Sequence, residues 1–289
     1  MLSALTNLTY FDASSNKLTG VIPPLLGLTK LILFDVSYNQ LTGEIPSLLG
    51  LTNLVQFYAN YNQLTGPIPT SLSGLTNLTG FNVSSNQLTG EIPSLLGLTN
   101  LADFHVYSNR LTGEIPSLLG LTNLTNFDVN SNQLTGAIPS LSDSNQGLTL
   151  TSLYYFDVDS NKLSGEIPPL SGLTNLKYFL AYSNKLTGPI PTSLSGLPYL
   201  ATFYVSSNQL TGQIPDLTGL SALHYFRVGE NHLTGGLPVA PSGLVAGESN
   251  LCANDFPESS YVASPAWDAA TGATPWYTPC NEIFKNGFE

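Results

Sequence analysis

Acidic and aromatic side chains recur at fixed positions along the chain, and they are the residues with which it could do chemistry. Seven of the 19 acids and ten of the 14 tyrosines precede a regularly spaced asparagine by one, two, four or six residues. Asp128 and Asp157 hold equivalent positions, so stacked strands would place their carboxyls about 5 Å apart. Two such carboxylates repel, and one pKa should rise unless a cation or a hydrogen-bond donor lies between them. Calcium binding is one reading of the pair, and a solvated acidic face is the other.

The tyrosines favour a binding surface, because tyrosine offers rigid contact area with few rotatable bonds. The alternative is an ordinary sheet surface, since tyrosine is also common in strands. Nearby acids and bases complete the set of side chains that we expect to contact a ligand. This set is Tyr58, Tyr61, Asp103, His105, Tyr107, Asp128, Tyr155, Asp157, Asp159, Tyr178, Tyr182, Tyr204, Tyr225 and Arg227.

A repeat positions these side chains. The segment Leu-Thr-Asn-Leu-x-x-Phe-x-Val-x-x-Asn-x-Leu-Thr-Gly-x-Ile-Pro recurs ten times, at spacings of 23 or 24 residues except for one of 29. Alternation around its phenylalanine predicts a strand with that ring in the core. The asparagine can satisfy backbone groups where the chain turns, and the glycine permits a bend. The marker asparagines are Asn16, Asn39, Asn62, Asn86, Asn109, Asn132, Asn161, Asn184, Asn208 and Asn231.

Over about residues 2–250 this pattern resembles the leucine-rich repeat family, and its Leu-Thr-Gly-x-Ile-Pro tail resembles the plant-type repeats of receptor-kinase ectodomains and polygalacturonase-inhibiting proteins. The resemblance implies an α/β solenoid of ten 23–24-residue coils, with a parallel concave β-sheet and a 3₁₀ or irregular convex side. It further implies a second short strand near each Leu-Thr-Gly, and 3₁₀ turns at the Ser-Leu-Leu-Gly and Ser-Leu-Ser-Gly segments. We expect the solenoid over residues 1–238 and a C-terminal cap and tail over residues 239–289. The extra residues 142–147 should bulge from the convex or lateral side.

The two ends of the chain differ from the repeats. The start carries neither a leader nor the cysteine-bearing cap of the plant family, so we expect a truncated or processed start, or a partner that covers the open edge of the first coil. Cys252 and Cys280 are the only cysteines, and we expect a disulfide that contributes about 3 kcal/mol, with two buried thiols as the alternative. A disulfide implies secretion or display at the cell surface. Residues 282–289 resemble a C-terminal ending of secreted gammaproteobacterial proteins, which implies a bacterial source.

Composition excludes several classes of function. Only 9% of the residues are charged and the net charge is −11, so the 8 basic residues cannot neutralise a row of phosphates, and nucleic acid is excluded as a partner. No run of 18 apolar residues exists to insert into a membrane. His105, His224 and His232 match no metal-ligand spacing, and no Gly-x-Ser-x-Gly segment fits a nucleophile turn. Although paired carboxylates serve glycosidases, an open repeated sheet provides no cleft. We therefore expect no catalysis, no metal and no cofactor.

These observations predict a non-enzymatic scaffold, secreted or at the cell surface, whose concave face recognises a neutral or basic protein, peptide or glycan. A different class of binding stays open beside it. Threonine occupies the position of Thr19 in nine of the ten coils, with Ser164 in the other. Such a regular polar row, together with low charge, is the feature expected of an ice-binding protein.

Overall fold

The strands of the ten repeats form one parallel sheet, in which they follow each other in chain order. The computed structural model describes residues 2–143, 145–260 and 264–277. Equivalent phenylalanines lie opposite one another in neighbouring strands, as Phe34 does to Phe57. The predicted solenoid with its concave parallel sheet is confirmed. The strands of this sheet are Tyr10–Asp12, Leu33–Asp35, Gln56–Tyr58, Gly80–Asn82, Asp103–His105, Asn126–Asp128, Tyr155–Asp157, Tyr178–Leu180, Thr202–Tyr204 and Tyr225–Arg227.

A continuous stack of phenylalanine rings fills the core beneath the sheet. Phe11 lies 5.3 Å from Phe34 between ring centroids, and Phe203 lies 5.9 Å from Phe226, with near-parallel planes along the stack. Because one coil has too little apolar surface to enclose its own ring, each phenylalanine is covered by the coils on either side. From Phe34 onward, each of these rings is fully buried.

The marker asparagines form a second ladder where the chain leaves each strand. The Asn132 amide donates to the carbonyls of Val106 and Val129, each at 3.1 Å, and its Oδ1 accepts the N–H of Leu111 at 3.0 Å. Backbone groups that face the interior are thereby paired within the coil and with the preceding coil. The ladder has an eleventh member beyond the ten repeats. Asn254, which follows Asn231 by 23 residues, accepts the N–H of Leu233 at 3.0 Å.

Short second strands follow the concave strands, as the repeat predicts. They form a three-stranded sheet and a two-stranded sheet, and isolated parallel bridges such as Pro67 to Thr89 continue the pairing in other coils. Each Leu-Thr-Gly bend has its glycine at positive φ, for example 83° at Gly20, which glycine tolerates. The second strands are Thr19–Val21, Gln40–Glu44, Gln63–Thr65, Ser164–Glu166 and Lys185–Thr187.

The convex side carries the short turns that the repeat predicts. The segments Thr70–Gly74 and Thr192–Gly196, which contain Ser-Leu-Ser-Gly, are 3₁₀ helices. The Ser-Leu-Leu-Gly segments form single turns with the same i to i+3 hydrogen bond, as Leu51 N–H donates to the Leu48 carbonyl at 3.2 Å. Length explains the difference, because the 24-residue coils contain one more residue, a threonine after Ile-Pro, and can extend the turn into a 3₁₀ helix.

The two ends and the insertion lie outside the regular coils. Leu150 N–H donates to the Leu141 carbonyl at 3.1 Å, which closes the insertion as a loop. At the C-terminal end, the α-helix Pro265–Thr271 places Trp267 at 6.1 Å from Phe226, so a tryptophan ends the row of rings. The remaining 3₁₀ helices are Leu2–Ala4 and Glu258–Ser260.

Several expectations about the ends stay predictions. Cys280 and residues 282–289 lie outside the described residues, so the pairing of Cys252 with Cys280 and the bacterial source are not tested. The same holds for the domain boundary at residue 238. The first coil exposes Val21 and Tyr10, by 64% and 60%, and the contact of a partner with this edge stays a prediction. Within the described ranges, no helix has the length and apolarity that crossing a membrane requires.

The asparagine ladder generates a prediction about stability. Asn132→Ala should lower the free energy of unfolding by about 3 kcal/mol, because it leaves one buried N–H and several carbonyls without their partner. Urea denaturation measures this change. Asn16→Ala is the matched control, since Asn16 is exposed at the first coil and should cost less than about 1 kcal/mol. Equal losses in the two variants would contradict the role of the ladder.

Candidate functional site

The outward positions of the concave sheet share a local hydrogen-bond arrangement. In the first coil, the backbone N–H and the hydroxyl of Ser14 donate to Oδ1 of Asp12 at 2.9 and 2.7 Å. Ser37 makes the same two bonds to Asp35 at 2.9 and 2.7 Å. These donors stabilise the ionised carboxylate and hold the pKa of Asp12 below its ordinary value of 3.8. The serine of the first coil therefore stabilises a charged aspartate at this position.

The seventh coil has the same tripeptide, Tyr155-Phe156-Asp157, and the opposite electrostatics. The position of the donor serine is occupied by Asp159. Burial is the largest cause of a pKa of about 8 at Asp157, and the hydrogen bond with Asp159, the charge of Asp159 and the charge of Asp128 contribute to the same rise in that order. A hydrogen bond between two carboxyl groups requires that one of them hold a proton. The predicted rise of one pKa thus has Asp159, more than Asp128, as its acidic partner.

Three aspartates form an acidic cluster at the centre of the concave sheet, which we define as Asp128, Asp157 and Asp159. Their exposed fractions are only 6%, 4% and 3%. The Asn130 amide lies between two of them and donates to Asp128 at 2.8 Å and to Asp157 at 3.2 Å. Buried carboxylates are costly unless they are paired. The only base close to the cluster within the described residues is His105, whose Nδ1 lies 3.9 Å from Asp128 Oδ2.

Tyrosines surround the acidic cluster. The Tyr155 hydroxyl donates to Asp157 Oδ2 at 2.8 Å. Burial, with the hydrogen bond to Asp159 next, raises the pKa of Tyr182 to about 12. Burial also raises the pKa of Tyr107, whose hydroxyl lies 3.5 Å from that of Tyr61. An open hollow of about 590 Å³ lies on the N-terminal side of the cluster, lined by Asn82, His105, Tyr107, Ser108, Asn126, Asp128, Asn130 and Tyr155.

A second hollow of about 360 Å³ adjoins Tyr182 on the other side. The guanidinium of Arg227 lies 4.7 Å from the centroid of the Tyr204 ring. Its Nη2 pairs with the Glu248 carboxylate at 2.7 Å, and its Nε donates to the Glu248 carbonyl at 3.0 Å. Arg227 is thus neutralised by Glu248, which the sequence reading missed. The sequence signal was there, because Glu248 follows at the 21-residue distance that separates interacting residues of adjacent coils.

The remaining predicted site residues lie away from the acidic cluster. Tyr58 and Asp103 belong to coils 3 and 5, where Asp103 accepts the Asn126 amide at 2.6 Å. Burial raises the pKa of Tyr58, and the charges of Asp103 and Asp35 add to the effect. At the opposite end, Tyr225 contacts His224 edge-on at 6.2 Å.

Tyr178 is the ring that joins the concave sheet to its flank. Its centroid lies 5.8 Å from that of Tyr155 on the concave side and 5.4 Å from that of Tyr154 on the other. The structure therefore brings His105 and Tyr107 of coil 5 together with the predicted residues of coils 6 to 8, and separates them from Tyr58, Asp103 and Tyr225.

No ligand set for calcium accompanies the aspartate pair. Across residues 2–143, 145–260 and 264–277, no three His, Cys, Asp or Glu side chains are placed to hold a metal ion. What the concave face offers is a buried acidic centre that a cationic group could neutralise, framed by aromatic rings that could contact the rest of a ligand.

Comparison with known proteins supports the prediction of leucine-rich repeats. Residues 7–28, 30–51, 53–75 and 77–98 match the family model for the leucine-rich repeat. The chain is similar to a TDR receptor, at 31% identity over 94% of this chain and 51% of that one, with a TM-score of 0.77. It is also similar to the plant peptide hormone receptor RGFR1 in complex with RGF2, at 32% identity over 88% and 45%, with a TM-score of 0.74.

A third similar structure belongs to a plant ice-binding protein, at 27% identity over 86% of this chain and 82% of that one, with a TM-score of 0.61. Comparison with curated proteins gave no match. The chain spans about half the length of the two receptor structures. Its first repeats match the leucine-rich repeat model, and the predicted likeness to plant receptor ectodomains is confirmed.

The acidic cluster generates a prediction about pH and stability. Because the pKa of Asp157 is about 8 in the folded chain and close to 3.8 when unfolded, the folded state holds the proton more tightly. The contribution of this group to stability is complete below about pH 4 and is lost as the pH rises through 8. Asp157→Asn should remove this loss, so the variant should gain stability relative to the wild type between pH 5 and about 9 in urea titrations.

Asp12→Asn is the control, because Asp12 ends the same Tyr-Phe-Asp tripeptide and its pKa is shifted in the opposite direction. It should show no gain with rising pH. If the Asp157→Asn variant tracked the wild type at every pH, the buried protonated carboxyl would be refuted.

Proposed function

We propose that this chain is a non-enzymatic scaffold, secreted or at the cell surface, that binds an extended peptide or protein segment along its concave face. The peptide complex of the similar receptor RGFR1 supports a peptide ligand. The observation that carries the proposal is the acidic cluster, whose three carboxylates are buried without a full cation among the described residues. A bound cation would relieve their mutual repulsion.

The expected ligand carries an arginine or lysine side chain that reaches the acidic cluster. Arginine fits best, since its planar guanidinium can donate hydrogen bonds to two carboxylates and stack on tyrosine rings. Tyr107, Tyr155 and Tyr182 surround the cluster and would contact the apolar stem of that side chain. The neighbouring hollow at Tyr204 holds the Arg227–Glu248 pair, which is already neutral, and would accept an uncharged part of the same segment.

A displayed library of random peptides tests the proposal without knowledge of the natural ligand. Selected peptides should be enriched in arginine or lysine, and replacing the selected arginine with citrulline, which has the same shape and no charge, should weaken binding at least tenfold, or about 1.4 kcal/mol. Isothermal titration calorimetry measures both. Selection of peptides without a basic residue, or equal affinity for the citrulline peptide, would contradict the proposal.

Affinity should also depend on pH and on the surrounding tyrosines. A cationic ligand favours the ionised form of Asp157, so affinity for the arginine peptide should increase from pH 6 to about 8, and Asp157→Asn should abolish that increase.

Tyr178→Ala and Tyr204→Ala should each weaken binding by more than about 1 kcal/mol. Asp12→Asn should change neither affinity nor its pH dependence.

Ice binding is the second candidate function, favoured by the likeness to a plant ice-binding protein. The threonines at the position of Thr19 are exposed in all nine of their coils. The hydroxyls of Thr42, Thr112, Thr135 and Thr234 also donate to a glycine carbonyl of the preceding coil, as Thr42 does to Gly20 at 3.2 Å. Glutamates such as Glu44 and Glu91 lie two residues after the threonines and bring charge to this surface, which does not suit ice binding. Binding of a peptide at the concave face is therefore the preferred function.

An ice recrystallisation assay separates the two candidates. The peptide-binding proposal predicts no inhibition of ice growth by the purified chain at micromolar concentration. Inhibition that disappears when Thr89, Thr112 and Thr135 are replaced by lysine, but survives Asp157→Asn, would establish ice binding instead.

A further inference from the structure

A column of asparagines runs along the flank of the solenoid in six of the ten coils, one residue before the leucine that leads into the concave strand; Lys30 and Ser152 hold this position in coils 2 and 7. Five of these asparagines donate the side-chain amide to a threonine carbonyl of the preceding coil, at 2.8 to 3.0 Å. The column therefore pairs backbone carbonyls from coil to coil, as the marker asparagines do on the other side of the strand. The bonds are Asn53 to Thr29, Asn77 to Thr52, Asn100 to Thr76, Asn123 to Thr99 and Asn175 to Thr151.

The last coils depart from this column. Tyr199 and Ala222 stand where coils 9 and 10 would carry the asparagine, so neither residue can donate a side-chain hydrogen bond of that kind. Tyr199 instead places an aromatic ring in solvent with 61% of its surface exposed. Replacing a bonding residue with an exposed ring does nothing for the scaffold.

These substitutions shape a groove of about 550 Å³ on the flank. Two small residues, Ala201 and Ala222, leave the space between larger neighbours. Tyr154, Lys177, Tyr199 and His224 line the groove around them. Equivalent positions in coils 7 to 10 lie one coil apart. Lys177 N–H donates to the Tyr154 carbonyl, Ala201 N–H to the Lys177 carbonyl and His224 N–H to the Ala201 carbonyl, each at 2.9 Å. The groove thus extends over four coils beside the concave sheet.

The charge in this groove is opposite to that of the chain as a whole. The Lys177 ammonium lies 5.7 Å from the centroid of the Tyr154 ring and 5.5 Å from that of Tyr178. None of the ion pairs within the described ranges involves Lys177, and no acid lines the groove. In a chain of net charge −11, a cation held between aromatic rings without a carboxylate favours a ligand that brings one.

We propose that this groove binds an acidic peptide segment in which an aromatic side chain adjoins an aspartate or glutamate. The aromatic side chain would occupy the space over Ala201 and Ala222 beside the Tyr199 ring, and the carboxylate would pair with Lys177. A glycan fits less well, because it needs many hydrogen-bonding groups, and Asn175 already uses its amide to bind Thr151. The site is separate from the acidic cluster, and its ligand has the opposite charge.

A short peptide with blocked ends, acetyl-Gly-Phe-Glu-Gly-amide, is the probe, and heteronuclear NMR titration measures its dissociation constant. The same peptide with glutamine in place of glutamate should bind about tenfold more weakly, as should the Lys177→Gln variant with the original peptide. Lys30→Gln is the control. It removes a cation from the flank at the asparagine position of coil 2, away from the groove, and it should leave binding unchanged.

Tyr199→Asn combined with Ala222→Asn restores the residue of the repeat and with it the hydrogen bond to the preceding coil. This variant should be at least as stable as the wild type and should lose binding of the probe more than tenfold. Loss of binding with undiminished stability is a result that misfolding cannot produce. Asp157→Asn should leave binding of this probe unchanged, which keeps the test independent of the proposed function of the concave face.

Three results would overturn the proposal. They are the absence of saturable binding at millimolar peptide, equal affinity for the glutamate and glutamine peptides, and full binding by the variant with both asparagines restored. Saturable binding of an acidic oligosaccharide such as oligogalacturonate, with none of the peptide, would likewise reject the peptide in favour of a glycan.

Discussion

The whole structure depends on pairing the backbone groups that face inward where the chain leaves each strand. The residue before each marker asparagine adopts a positive φ, such as 53° at Ser131, and turns neighbouring carbonyls and N–H groups toward the core. Asparagine solves this problem because its amide donates while its oxygen accepts. Packing in the core fixes the Phe and Leu positions, and the positive φ of the bend fixes the Gly position. The outward positions of the concave sheet can therefore vary without disturbing the phenylalanine stack or the ladder of marker asparagines.

The acidic cluster shows how small a change can create a site on such a scaffold. In most coils with an acid or amide at the fourth position before the asparagine, a serine or asparagine two residues later donates to it, as in Asp12–Ser14 and Asp128–Asn130. Only the seventh coil places a second aspartate there. The stack then adds Asp128 from the preceding coil, so three carboxyls are buried together. The strain is electrostatic rather than steric, and a bound cation can relieve it.

The fold could be predicted from the sequence because every coil repeats the same solution, so that ten weak signals reinforce one another. The equivalence of Asp128 and Asp157 was also readable, since register in a repeat follows from spacing alone. Side-chain direction was not readable. Nothing in the pattern indicated that Asp157 bonds Tyr155 and Asp159, whereas the 21-residue distance from Arg227 to Glu248 was a signal for their pairing. Asn254 and the flank groove could not be predicted in this way, because both lie outside the outward strand positions.

Titration of the Asp157 carboxyl carbon by NMR, with and without a selected arginine peptide, tests directly whether the acidic cluster receives a cationic side chain. We expect an inflection far above 3.8 in the free chain, near 8, and a downward shift when the peptide is bound, because the guanidinium stabilises the ionised carboxylate. An inflection near 3.8 in the free chain, or one that the bound peptide leaves in place, would refute a cation-binding acidic cluster.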